Sequence, residues 1–343
     1  MIGGEHYLLD NKSVKLSLSN FIYSNFNNNS FFSSGRDALY ALLKSLPQNT
    51  IYLPDLVCDS IYNACRQSGK KIKFYEINEN FIENKFDLQK INKNSCILII
   101  HFFGIPNIQL INNLTKSNTK IISDVTHIIF NKFYLKKIYK KSDYLLTSLR
   151  KIGPFPDGGI LSSNKKKLPK PINKIRENFF TFRLAGIVAR TQSILNKINN
   201  DEGFYLIKKA EKYINNSSLG GFDASNFSKN LTKSICYKKN ALQISKNIHV
   251  LNSLKKFNSI GVVNDNNLIS PYYVCLFKNK KTRDRIKVFL SKKNIFCPIH
   301  WESKTITKKS ILSNRILSIP CDVRYNQNDM KMIINNILLC IEN

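Results

Sequence analysis

Lys151 is one lysine among many, but its neighbours set it apart. The stretch TSLRKIGPFPDGG (residues 147–159) leaves an apolar run and passes through Gly153-Pro154 and Pro156 to the pair Gly158-Gly159. A tight loop of this kind can hold a side chain in place. A lysine held in a low-dielectric cleft can lose its proton and attack a carbonyl, forming a Schiff base. For a lone lysine at a strand end, a solvated charge is the simpler account. Two further features bear on the choice. Ser33-Ser34-Gly35 open SSGRDALYALLKSL, where Leu39, Leu42, Leu43 and Leu46 fall on one helical face. A capped, glycine-bearing helix start leaves backbone N–H groups that bind phosphate, although the same residues also serve simple capping. In IISDVTH, Asp124 ends an apolar run and His127 follows three residues on. An acid at the carboxyl end of a central strand faces the ligand crevice of an α/β sheet, while a turn-forming Asp is the plain alternative.

Taken in order, a phosphate-binding helix start, a carboxylate and a lysine are the parts a pyridoxal phosphate (PLP) site needs. The helix end takes the phosphate, the carboxylate keeps the pyridine nitrogen protonated, and the lysine carries the cofactor.

The elements that must position these groups follow from the pattern. Residues 50–56, 71–78, 95–104, 119–127, 143–149 and 158–164 read as strands, with helices over 55–68 and 108–116 between them. Continuous apolar strands alternating with helices predict a mostly parallel sheet covered on both faces. Residues 169–199 read as largely helical, 215–226 as a loop, and 229–257 as one long helix or two. SPYYVCLF, KTRDRIKVFLSKKN, IFCPIHW and NQNDMKMIINNILLCI then read as strand, helix, strand and closing helix. The expected division is a large α/β domain over residues 1–235 and a smaller α/β domain over 236–343.

Composition narrows the function classes. The chain has 343 residues, 43% of them hydrophobic, enough for a sizeable core. No run is long and apolar enough for a membrane span, and the first 16 residues lack the pattern of a secretory leader, so a cytoplasmic protein is expected. The eight cysteines form no C-x-x-C pair and sit mostly in apolar runs, which reads as buried reduced thiols with no metal site. The net charge is +30, but the lysines are scattered among asparagines, without a basic stripe that would suit nucleic acid.

The chain resembles the DegT/StrS-type family of PLP-dependent sugar aminotransferases, of fold type I. SSGRDALYALLKSL resembles the family's Ser-Gly helix start, IIHFFGIPNI its His-x-Tyr-Gly strand exit, and IISDVTHIIF its acidic stretch ending in His or Gln. IYLPDLVCDSIYNACRQSGKKIKFYEIN, SLRKIGPFPDGGIL and RILSIPCDVRYNQNDMKMII are similar to further family segments in the same order. The resemblance implies that Lys151 bonds the cofactor and shuttles the proton, and that Asp124 pairs with the pyridine nitrogen. It places His127 near the ring oxygen, Ser34, Gly35 and Arg36 at the phosphate, and Ser148 as a further hydroxyl. Family members are usually homodimers in which an Asn of the neighbour completes the phosphate site, which singles out Asn226. Arg36 stands where the family has Thr or Ser, and Cys58 where many members stack an aromatic ring on the cofactor. Ser148 lies closer to Lys151 than the family's serine.

The implied reaction moves an amino group from an amino acid, glutamate by resemblance, to a keto sugar, nucleotide-linked in this family and destined for surface glycans. The alternatives are a PLP-dependent sugar dehydratase, which in the family replaces the lysine by His, a non-catalytic protein that kept the fold, and a nucleic-acid binder. His300 and Trp301 are candidates for the substrate side or, equally, for a core aromatic and a satisfied histidine.

Overall fold

The computed structural model describes residues 1–8, 28–84, 91, 93–164, 166–196, 201–257, 260–262, 268–302 and 310–342. Residues 9–16 of the stretch read for a leader, 197–199 of the expected helix and 303–306 beyond Trp301 lie outside them.

In chain order the first half holds β1 (Ile2–Gly3), β2 (Asn29–Phe32), α1 (Gly35–Ser45), β3 (Thr50–Pro54), α2 (Asp59–Gln67), β4 (Lys71–Ile77), β5 (Glu83–Asn84), β6 (Ser95–Ile100), α3 (Ile108–Leu114), β7 (Lys120–Asp124), α4 (Lys132–Lys141), β8 (Tyr144–Ser148) and β9 (Gly159–Ser162). There follow α5 (Glu177–Leu195), α6 (Glu202–Asn216), α7 (Asn226–Leu231), α8 (Tyr237–Leu251), β10 (Gly261–Val262), β11 (Tyr272–Leu276), α9 (Lys280–Lys292), β12 (Ile295–Phe296), β13 (Ile316–Pro320) and α10 (Gln327–Glu342).

The main sheet has the order β2-β9-β8-β7-β6-β3-β4-β5. Strands β4, β3, β6, β7 and β8 run parallel, and β9 is antiparallel to both β8 and β2. This is the α/β architecture read from the sequence. Every residue of β6 is buried, as an apolar run covered on both faces requires. The chain leaves β3 toward β4 on one side and returns to β6 on the other. Crevices at such reversals lie beyond the carboxyl ends of the strands, here Pro54, Ile100, Asp124 and Ser148. A second sheet, β10-β11-β13, is antiparallel. Ile2–Gly3 pair in parallel with Ile295–Phe296, so the first residues join the later part of the chain.

Some boundaries differ from those read in the sequence. The strand expected over 95–104 stops at Ile100, and a 3-10 turn takes Phe102–Gly104, where Phe103 and Gly104 have φ of 49° and 81°. Ile295–Phe296 is the only strand in IFCPIHW, because Pro298 cannot donate to a ladder. The helix expected from residue 169 begins at Glu177, behind an extended segment that bridges Asn173 to Phe222. Helix α6 falls where no helix was expected, and it ends inside the stretch read as a loop.

Candidate active site

The start of α1 is built from a buried carboxylate. The Ser34 Oγ accepts from the Asp37 N–H at 3.2 Å, and the Ser33 and Ser34 hydroxyls each donate to Asp37 Oδ2 at 2.7 Å. Arg176 donates to Asp37 Oδ1 at 2.9 Å. Both members of this ion pair are almost fully buried. The Ser34 hydroxyl is therefore engaged within the turn, and the backbone N–H groups of Gly35 and Arg36 are left as donors at the helix end. Gly159 presses against this turn. A Cβ there would stand 2.3 Å from the Ser34 carbonyl and 2.5 Å from the Gly35 nitrogen. Gly158, at φ +123°, donates its N–H to the Ser33 carbonyl at 2.7 Å. The Gly-Gly pair lets β9 lie directly against the start of α1.

The lysine loop meets the same place. Ser148 ends β8, and a Cβ on Gly35 would sit 3.3 Å from the Ser148 Cβ. A 3-10 turn, Leu149–Lys151, then carries Arg150 and the half-buried Lys151. Asp124, at the end of β7, is tied to this loop in two steps. Its Oδ1 accepts from the Thr126 N–H at 3.0 Å, and the Thr126 Oγ1 accepts from the Ser148 N–H at 3.0 Å. Gly35 and Ser148 thus lie close together beside Lys151, and Thr126 bridges Ser148 to Asp124.

His127 lies in an aromatic enclosure. Its ring centroid is 5.0 Å from Trp301, 5.1 Å from His300, 5.4 Å from Tyr272 and 5.7 Å from Phe103. Both of its ring nitrogens are buried without a hydrogen-bond partner. Burial, followed by the neighbouring His300 and Lys151, pushes its pKa well below the ordinary histidine value, so the ring is neutral. His300 bonds the Ser318 hydroxyl at 2.7 Å and is lowered to about 3, again mainly by burial. Trp301 and Phe103 both hold φ near +50°, at 56° and 49°, a region that bulky residues enter only under constraint from their surroundings.

A charged cluster surrounds the other side. Glu211 of α6 receives Arg150 in a short contact, Arg183 at 2.8 Å and Arg36 at 3.8 Å. Burial acts to raise the Glu211 carboxyl, and the three arginines outweigh it, holding its pKa below the usual carboxylate value. Arg183 also pairs with Glu5 at 2.9 Å. Between these groups and α9 lies a cavity of about 380 Å³, lined by Lys151, Arg150, Glu5, His6, Tyr272 and Arg324 among others. Burial, with Arg324 nearby, lowers the His6 pKa to about 4.

Of the residues singled out in the sequence, Ser34, Gly35, Arg36, Asp124, His127, Ser148 and Lys151 converge on one region. His300 and Trp301 join them there. Cys58 stands at the N-cap position of α2 and lies within hydrogen-bond reach of Ser60 Oγ, at 3.1 Å. Asn226 is exposed at the first turn of α7. Sequence reading missed Asp37, Arg176, Thr126, His6 and Glu211. For Asp37 a signal existed, since Ser34-x-x-Asp37 before an apolar run is a capping pattern.

The fold is shared with known aminotransferase structures. PseC of Helicobacter pylori, an aminotransferase of pseudoaminic acid biosynthesis, superposes with a TM-score of 0.67 at 14% identity over 99% of each chain. The aminotransferase TlmJ of Streptoalloteichus hindustanus gives 0.67 at 10% identity, over 100% of this chain and 99% of its own. NtdA of Bacillus subtilis, solved with bound cofactor PMP, gives 0.63 at 14% identity, over 99% and 79%. No family model matches the sequence, and no curated protein matches it. The chain has the fold-type I architecture of these enzymes.

Proposed function

We propose that this chain is a PLP-dependent aminotransferase of the DegT/StrS type that moves an amino group from an amino acid, glutamate by resemblance, to a nucleotide-linked keto sugar. The observation that carries the reading is the junction of Gly35, Ser148 and Asp124 beside Lys151, at the carboxyl ends of parallel strands in this fold. The residues present fit the cofactor. The first N–H groups of α1 suit a phosphate, and the unpartnered His127 ring suits a polar ring substituent. PLP would supply an electron sink for the carbanion formed at the amino acid Cα.

The chain's own groups then have distinct tasks. Lys151 Nζ would hold the cofactor and would move the proton at the substrate carbon. Arg150 cannot replace it, because a guanidinium stays protonated. The Asp124 carboxylate would hold a proton on the pyridine nitrogen. The neutral His127 imidazole would donate to the ring oxygen, with Phe103, Tyr272 and Trp301 packed around it to exclude water. Gly35 and Arg36 would bind the phosphate, with Ser148 beside them. Cys58 stands on the α2 side of Arg36 in place of a stacking ring. The cavity between the Lys151 loop and α9 would hold the sugar, between a large domain of residues 1–235 and a small one of 236–343. The surplus of +30 favours an anionic substrate. A homodimer, with Asn226 of each subunit reaching toward the other's phosphate, completes the proposal. Among the described residues no helix is long and apolar enough to cross a membrane.

The test is turnover. With PLP, glutamate and a panel of nucleotide-linked keto sugars, the purified protein should release the oxo acid and a product carrying an amino group, both read by mass spectrometry. Failure to form the oxo acid with any acceptor, or a deoxygenated product formed without an amino donor, would overturn the reading.

A further inference from the structure

The cations beside the start of α1 are fixed more firmly than the anion that neutralises them. The side chains of Arg183, Arg36 and Arg150 are 2%, 12% and 14% exposed, against 31% for Glu211. Glu211 therefore reaches inward from the solvent side to a set of guanidiniums held in the interior. Its outer face borders a depression of about 700 Å³, lined by Tyr205, Lys208, Lys209 and Lys212. Lys208 stands three residues before Glu211 on α6, the spacing at which helix side chains pair. Arg183 keeps Glu5 as a second carboxylate, so it does not depend on Glu211 alone. Arg36 touches Glu211 only at 3.8 Å, and its Nη1 bonds Asn215 at 2.6 Å. The Nε atoms of Arg150 and Arg183 are buried without a partner.

Two of these arginines flank the helix end. Arg36 follows Gly35 directly, and Arg150 lies two residues past Ser148, whose Cβ would be 3.3 Å from a Cβ placed on Gly35. A phosphate at the Gly35 and Arg36 N–H groups would compete with Glu211 for both guanidiniums.

We propose that Glu211 is an exchangeable counter-ion, which neutralises Arg36 and Arg150 until a phosphate group arrives at the start of α1 and then releases them to it. The released carboxylate turns to Lys208 and solvent. This inference rests on the proposed cofactor reading, since the phosphate it concerns is the cofactor's. The exchange spares buried guanidiniums from standing unpaired before the ligand binds, which would be strongly unfavourable. It also lowers the affinity for phosphate, because each binding event must displace an ion pair.

The experiment titrates the full-length chain and its Glu211→Gln variant with inorganic phosphate by calorimetry, near neutral pH. Removing one carboxylate at ion-pair distance should tighten phosphate binding by roughly tenfold, the scale on which a single adjacent charge acts. Glu211→Asp, which keeps the charge but withdraws it, should give a smaller gain and provides the reading if Glu211→Gln does not fold. The double variant Glu211→Gln/Arg150→Met should lose the gain. Unchanged or weaker phosphate binding in the Glu211 variants would overturn the proposal, because it would mean that Glu211 only braces the arginines. The cofactor reading is judged separately, by whether PLP bonds Lys151 in the unaltered chain. A phosphate gain without that bond would keep the exchange and sink the cofactor, and the reverse pattern would do the opposite.

Discussion

Replacing Gly159 by alanine tests the geometry on which the proposed cofactor site depends. The added Cβ would lie 2.3 Å from the Ser34 carbonyl carbon and oxygen and 2.5 Å from the Gly35 nitrogen. Non-bonded carbon contacts settle near roughly 3.5–4 Å, so the start of α1 and strand β9 must part by about 1 Å. The atoms met are backbone, so no rotamer change relieves the clash. The movement pulls on the Gly158 N–H bond to Ser33 and on the pairing of Phe32 with Gly159. Overpacking of this kind costs about 1–3 kcal/mol, and a backbone clash belongs at the upper end. Displacing a binding group by about 1 Å can cost on the order of 100-fold. Gly159→Ala should therefore lower the urea midpoint and weaken PLP binding by at least about tenfold. Gly69→Ala is the control. Gly69 has φ +82° but nothing within 4 Å of its would-be Cβ, so strain of about 1 kcal/mol is expected with cofactor affinity intact. The reasoning fails if Gly159→Ala binds PLP as tightly as the unaltered chain.

Three further outcomes follow from the same structure. Asp37→Asn should destabilise the fold by about 3–5 kcal/mol in urea titrations, because Arg176 is left buried without its charge partner, and adding Arg176→Leu should recover part of the loss. Asp124→Asn should cut the amino-transfer rate by about 10²-fold or more in stopped-flow half-reactions, while PLP still bonds Lys151. Stability should fall on acidification below about pH 6.5, where unfolded histidines begin to charge. Burial lowers His6 to about 4 and His101 and His300 to about 3, so the native state refuses protons that the unfolded state takes up. Each such group contributes stability that is complete above its unfolded value of 6.5 and declines by about 1.4 kcal/mol per pH unit as pH falls toward the folded value. Proton uptake on unfolding near pH 5 should drop by about one in His101→Gln, measured by the pH dependence of the urea midpoint.

What could be read from the sequence was what is local. The apolar runs of β3, β6, β7 and β8 stand out because both faces are covered, β4 alternates with one face exposed, and the Ser-Gly start of α1 carries its own capping chemistry. Asp124 and Lys151 were legible because each lies at or just past the end of such a run. The charged half of the site was not legible, because its partners are remote. Arg150 meets Glu211 across 61 positions, and Arg183 meets Glu5 across 178. Nothing in the residues around Glu211 marks it off from the other charges of a lysine-rich amphipathic helix. The turn at Phe102–Gly104 was read as strand because it continues an apolar run. Its left-handed Phe103 is set by packing against Trp301, at a ring distance of 4.9 Å, which no local pattern encodes.

The central claim is that Lys151, among the many lysines of this chain, holds the cofactor. Incubation with PLP, reduction with borohydride and peptide mass mapping test it directly. The account predicts a single reduced adduct on the peptide carrying Lys151, absent from Lys151→Ala and undiminished in Arg150→Lys. No adduct, or an adduct on other lysines that persists in Lys151→Ala, would contradict it.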